Sequence, residues 1–112
     1  MADRVQLVRG TLDAVVLRAL TWRPMHGFEI ISWLEQQSGN ALEIEDGTLY
    51  HALVRLEKSR CITASWHVTE NSRRARYYTL TATGRARLRD ETEALTAYTR
   101  VLNRLLAAEP DK

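Results

Sequence analysis

The sequence predicts a mainly α-helical chain with one small β-hairpin, an α+β arrangement that ends in a long helix. Three observations predict it. Apolar residues recur at helical spacing in three short stretches before residue 59. The period then changes to alternation over Ile62–Val68. Beyond that, Leu88, Leu95 and Leu102 repeat every seven residues in a stretch free of proline until Pro110. With 112 residues and 45% hydrophobic content there is enough chain for one domain and an appended helix. Glycine and proline, at 5 and 2 residues, are too scarce for long disordered tails.

The first helix is expected over residues 7–21, where Leu7, Leu12, Val15, Val16, Ala19 and Leu20 share a face. Gly10 or Thr11 marks a break or late start within it. Trp22-Arg23-Pro24 ends it, because proline disfavours helical geometry at the residue before it. A second helix runs over about 26–37, with Phe28, Ile31 and Leu34 inward and Ile30 and Trp33 widening that face. Ser38-Gly39-Asn40 supplies its turn. The third helix, over Asp46–Lys58, turns Leu49, Leu53 and Leu56 inward, and Asp46 is placed as its N-cap. Its other face holds His51, Val54, Arg55 and Lys58, with Thr48 and Tyr50 near the start. That face is poor in acids and is not an ordinary packing surface.

The third helix should stop near Ser59-Arg60. Ile62, Ala64, Trp66 and Val68 then point one way, and Thr63, Ser65 and His67 the other. A turn over 69–74 leads into a second strand over 75–80. A two-stranded ribbon is marginal alone, so it must lean on the helices, through Trp66 and one of Tyr77 and Tyr78. Arg73, Arg74 and Arg76 at and beside its tip gain nothing from folding there.

The final helical pattern covers 82–108. Tyr98 and Leu105 fall three residues after the second and third seam leucines, while Glu91 interrupts the first turn of the seam. Three helices already supply a core, so the seam needs another surface. A second copy of the chain is the simplest, with Leu88, Leu95, Tyr98, Leu102 and Leu105 at the interface; folding back onto its own domain is the alternative. The chain thus divides into 1–81, a domain, and 82–112, a dimerisation helix and tail.

The net charge of +2 conceals a strong asymmetry. Residues 1–46 hold four arginines against seven acids, whereas residues 47–87 hold eight cations against Glu57 and Glu70 alone. A basic middle flanked by acidic segments outlines a polyanion-binding site; a merely solvated basic face is the plainer reading. Helix, helix, basic helix and then a hairpin with a cationic tip is the outline of a winged helix-turn-helix. On that reading the partner is double-stranded DNA. Phosphate contacts supply affinity, and exposed side chains at His51, Val54 and Arg55 supply sequence preference. A protein-interaction module of the same shape is the alternative.

Other classes fare poorly. There is no glycine-rich phosphate loop, nucleophile motif or paired acids at a credible site, so no enzyme is expected and no cofactor is implied. His26, His51 and His67 are too scattered for a metal motif, and the single Cys61 has no partner for a disulfide. Cys61 reads as a small buried apolar residue at the helix-strand junction. No signal-peptide core follows the N-terminus, and the apolar patch Ala14-Val15-Val16-Leu17 is stopped by Arg18, far short of a membrane span. A reducing cytoplasm is the expected compartment.

Gly47-Thr48-Leu49-Tyr50 with Ala52-Leu53 and Arg55-Leu56-Glu57 resembles the signature of the PadR family of bacterial transcriptional regulators. The resemblance takes in His26-Gly27-Phe28-Glu29-Ile30, Trp66, Arg76-Tyr77-Tyr78-Thr79-Leu80-Thr81 and Gly84, and spans roughly residues 7–88. The short C-terminal part is similar to the smaller subgroup with one dimerising helix. The resemblance implies a homodimeric repressor on a near-palindromic operator, released by a small hydrophobic or aromatic ligand. It implies DNA contacts from Thr48, Tyr50 and His51 on the third helix and from Arg73, Arg74 and Arg76 on the wing, to which the cationic outer face of the helix adds Arg55 and Lys58. Tyr98 with Trp22 is the candidate pair for stacking the ligand.

Four residues depart from the family pattern. Phe28 stands for a common tyrosine, Arg60 for the glycine that usually ends the recognition helix, and Tyr98 is the only aromatic on the last helix, where ligand-sensing relatives carry tryptophan. His51 takes the place of a usual proline.

Overall fold

A computed structural model describes residues 5–6 and 10–111 of the chain. Helix formation begins only after Gly10, whose φ of 90° lies outside the helical basin. The first helix, α1, is therefore Leu12–Leu20 and not the longer 7–21, and Leu7 lies outside the described residues. Leu12, Val16, Leu17 and Leu20 face inward along it, two of them fully buried. The described part of the chain starts with a short strand, β1 (Val5–Gln6).

Helix α2 (Gly27–Gln37) starts from a capping box built on histidine. Glu29 N–H donates to His26 Nδ1 at 3.3 Å, and His26 N–H donates back to the Glu29 carboxylate at 3.1 Å. Its inward line is Ile30 and Leu34 and not the expected Phe28, Ile31 and Leu34: Phe28 is 75% exposed and Ile31 is half-buried. Gly39 and Asn40, both at positive φ, turn the chain into a second short strand, β2 (Leu42–Glu43), parallel to β1.

Helix α3 is Asp46–Lys58, with Glu45 at the N-cap position and Asp46 inside the first turn. The carboxylate of Asp46 therefore meets the positive end of the helix as part of it and does not cap it. Leu49, Ala52, Leu53 and Leu56 are buried. At the other end Arg60 N–H donates to the Glu57 carbonyl and Cys61 N–H to the Leu56 carbonyl, at 3.0 and 2.9 Å. This is a Schellman closure, and it holds Arg60 at φ 63°. An arginine in that left-handed position costs on the order of 1 kcal/mol relative to glycine.

The hairpin joins β3 (Ile62–Val68) to β4 (Arg74–Leu80) in the register Ile62↔Leu80 to Val68↔Arg74. Met25 pairs with Tyr78 on the far edge of β4, through N–H···O bonds of 3.2 and 2.9 Å. Ile62, Tyr78 and Leu80 bury the root of the ribbon, so Tyr78 is the tyrosine that leans on the helices. Burial pushes its phenol above the ordinary range, which keeps it neutral. Trp66 does not share that role. It lies on the same strand face, but beyond the helices, at 55% exposure.

Helix α4 (Ala82–Leu106) begins at Thr81, whose hydroxyl accepts from Gly84 N–H at 3.0 Å. A Cβ on Gly84 would be driven into the Cys61 carbonyl oxygen and crowd Leu80, so only glycine lets the helix approach the α3–β3 junction this closely. Cys61 itself is 1% exposed. Within α4 only Gly84 and Leu88 are buried. The remainder runs away from the core and stretches the molecule to 66 Å. The architecture is a winged helix with a long C-terminal helix, in the α+β class.

Candidate nucleic-acid interface

The inward leucines of α3 fix what its other side presents. With Leu49, Leu53 and Leu56 in the core, Thr48, Tyr50, His51, Arg55 and Lys58 are all exposed and Val54 is half-buried. The wing adds Arg73, Arg74 and Arg76, also exposed. Between the N-terminal ends of α2 and α3 and the wing lies an open cleft of about 620 Å³. Phe28, Leu49 and Tyr50 line one side and Arg73, Arg74 and Arg76 the other. Thr48, His51, Arg55 and Lys58 do not line it and stand along the outer face of α3.

The eight predicted cationic and polar residues are not electrostatically equal. Arg55 donates to Asp13 of α1 at 2.8 Å, and Arg76 donates to Glu57 of α3 at 2.7 Å. Among the described residues Lys58, Arg73 and Arg74 have no carboxylate partner. Arg74 instead lies over the Trp66 ring, 4.9 Å from its centroid. That contact stiffens the tip while leaving the cation outward. The Arg76–Glu57 pair is exposed on both sides, so it contributes at most about 1 kcal/mol, whereas in the Arg55–Asp13 pair only the arginine is exposed; either guanidinium is accessible to a phosphate.

Asp13 and Glu57 belong to this surface although the sequence does not pair them with its arginines, and Phe28 belongs to it although the sequence places it inward. Asp13 lies 42 residues from Arg55, and Glu57 lies 19 from Arg76, separations at which no local pattern pairs charges. Phe28 had a usable signal in that its neighbours Ile30 and Leu34 alone satisfy one inward line.

The candidate ligand pair is not assembled within one chain. Trp22, 58% exposed, packs edge-on against Trp33 at 5.5 Å, while Tyr98 stands 60% exposed on the distal part of α4. Leu88 is also displaced from its expected role: at 5% exposure it fills the core of its own domain and is not free for a second chain. Leu95 and Leu102 are half-buried, and Tyr98 and Leu105 are exposed, together with Val101 and Leu106 on the same segment. Among the described residues no group of three or more His, Cys, Asp or Glu is placed to hold a metal ion. No described helix is long and apolar enough to cross a membrane.

The sequence pattern of the Transcriptional regulator PadR-like family matches residues 16–90. An uncharacterized protein of Lysinibacillus sphaericus is 32% identical over 85 residues, covering 76% of this chain and 78% of its own. Among solved structures, a transcriptional regulator from Clostridium thermocellum is 28% identical with a TM-score of 0.78, over 86% of this chain and 93% of that one. A PadR family transcriptional regulator from Eggerthella lenta is also 28% identical, with a TM-score of 0.76, over 90% and 86% of the two chains.

Proposed function

The chain belongs to the PadR-like family of transcriptional regulators, and from that premise we propose that it acts as a dimeric repressor on duplex DNA. The observation that carries the reading is the wing tip. Arg73 and Arg74 sit exposed, without acidic partners among the described residues, across the cleft from Tyr50 at the start of α3. In such an arrangement α3 enters the major groove through Thr48, His51 and Arg55, with Lys58 at its end. The wing arginines then hold the flanking phosphates or the adjacent minor groove.

Residues 1–81 serve as the DNA-binding unit together with the base of α4, where Leu88 fills the core and Arg87 reaches Asp13, and the rest of 82–112 serves as the pairing unit. Leu95, Tyr98, Leu102 and Leu105 meet their counterparts in a second chain, because Tyr98, Val101, Leu105 and Leu106 lie exposed on that segment around the half-buried Leu95 and Leu102. Two recognition helices related by a two-fold axis read half-sites roughly 34 Å apart, which makes the operator near-palindromic. A small hydrophobic or aromatic effector, stacked on Tyr98 and on Trp22 of the dimer, releases the DNA. Titration of aromatic compounds against tryptophan fluorescence tests that last part, and silence across a broad panel removes it.

Binding of the purified protein to the DNA upstream of its own gene tests the main reading. A complex is expected at about 50 mM salt that weakens steeply by about 200 mM, as counterion release requires. Absence of any salt-sensitive complex favours the alternative of a protein-interaction module.

A further inference from the structure

One carboxylate in this fold serves two arginines from two different helices. Asp13 of α1 accepts from Arg55 of α3 through Oδ1 at 2.8 Å and from Arg87 of α4 through Oδ2 at 3.0 Å. Arg87 also donates through Nε to Glu91 at 2.9 Å and reaches toward the Ser59 hydroxyl and the Cys61 thiol. Two acids and two arginines thus form a group with no net charge. Their exposures differ sharply: the Asp13 side chain is 13% exposed and that of Arg87 34%, whereas that of Arg55 is 56%. Arg55 is therefore the accessible member and Asp13 the one that must stay paired.

Resting on the DNA-binding reading above, we propose that Asp13 is a positioning residue that holds Arg55 in reserve, and that Arg87 is the stand-in that lets Arg55 leave for a phosphate. In the free protein Arg55 is neutralised on the outer face of α3. On binding, its guanidinium moves from Asp13 to the DNA. Asp13 is not stranded, because Arg87 remains beside it, anchored by contacts that do not involve Arg55. The Glu91 hydrogen bond, acting against partial burial, raises the pKa of Arg87 above its ordinary value, so the stand-in is always charged.

Three single variants test the exchange by DNA affinity and by its dependence on salt, with circular dichroism confirming the fold of each. Arg55→Gln is expected to flatten the slope of log affinity against log salt by about 0.9, the signature of one lost phosphate contact. Asp13→Asn removes the competitor and is expected to tighten binding roughly fivefold with the slope unchanged, a gain that no loss of structure can imitate. Arg87→Gln leaves Asp13 with Arg55 alone and is expected to weaken binding roughly fivefold. In an Arg55→Gln background the other two substitutions should leave affinity unchanged.

An unaltered slope in Arg55→Gln overturns the proposal. So does a shift of the same sign in Asp13→Asn and Arg87→Gln, which marks the cluster as a structural clasp. If the parent protein itself binds no DNA at low salt, the functional reading fails and the proposal falls with it. A parent that binds while the variants respond otherwise condemns the exchange alone.

Discussion

The hairpin and α4 start alike and finish differently. Both are rooted in the same core: Ile62, Tyr78 and Leu80 bury the base of the ribbon, and Gly84 and Leu88 bury the base of the helix. Both then leave the helices behind. The ribbon finishes in Arg73 and Arg74, while the helix finishes in Tyr98, Val101, Leu105 and Leu106, each at least half exposed. Neither far end adds to the stability of one chain, since exposed side chains bury no apolar area and exposed cations contribute little. The difference between them is chemical. A cationic end suits a polyanion, and an apolar end suits another apolar surface.

The largest expected effect is at the far end of α4. Leu102→Asp or Leu105→Asp should weaken self-association by about 3 kcal/mol, two orders of magnitude, while leaving the melting of the separated chain nearly unchanged. Sedimentation across a concentration series checks this, and an unaltered association would show that the apolar end pairs with something else. Next is the common root. Gly84→Ala forces a methyl group against the Cys61 carbonyl and should cost about 2 kcal/mol of stability, read by urea denaturation. It tests whether both projecting elements depend on one contact, because the ribbon and the helix should loosen together.

At the wing tip, Arg74→Ala should cost about 1 kcal/mol of DNA affinity and flatten the salt slope by about 0.9, equally on all sequences. A sequence-dependent loss would instead give Arg74 a role in reading bases. The smallest change has the opposite sign. Arg60→Gly, relieving the left-handed closure of α3, should stabilise the chain by somewhat less than about 1 kcal/mol, visible as a small rise in the denaturation midpoint.

The roots could be read from the sequence and the ends only in part. Leucines at 49, 53 and 56 leave one orientation for α3, and alternation from Ile62 gives the right strand face. Alternation says which face a residue occupies but not how far the supporting helices extend, which is why Trp66 was expected in the core and lies outside it. The heptad failed in a similar way. Leu88 and Leu95 share a repeat although one packs on its own domain and the other does not, since a regular period carries no mark of where a helix leaves its core. Glu91, which interrupts the seam, was the clue: it pairs with Arg87 and belongs to the domain. The pairing of Arg55 with Asp13 had no sequence trace, because the fold alone brings α1 and α3 together.

The glycine contact at the base of α4 makes a fulcrum. Gly84 pins the rod against the Cys61 carbonyl, and Arg87 sits three residues beyond it, whereas Leu105 sits twenty-one residues beyond. At ~1.5 Å per residue the two arms are ~4.5 and ~32 Å, so tilting the rod moves its tip about seven times as far as it moves Arg87. A tilt that carried the tip by ~5 Å would reach the guanidinium as ~0.7 Å, enough to part a hydrogen bond of ordinary length. Coarse movement at one extremity would thus be geared down to the fine scale on which charges change partners.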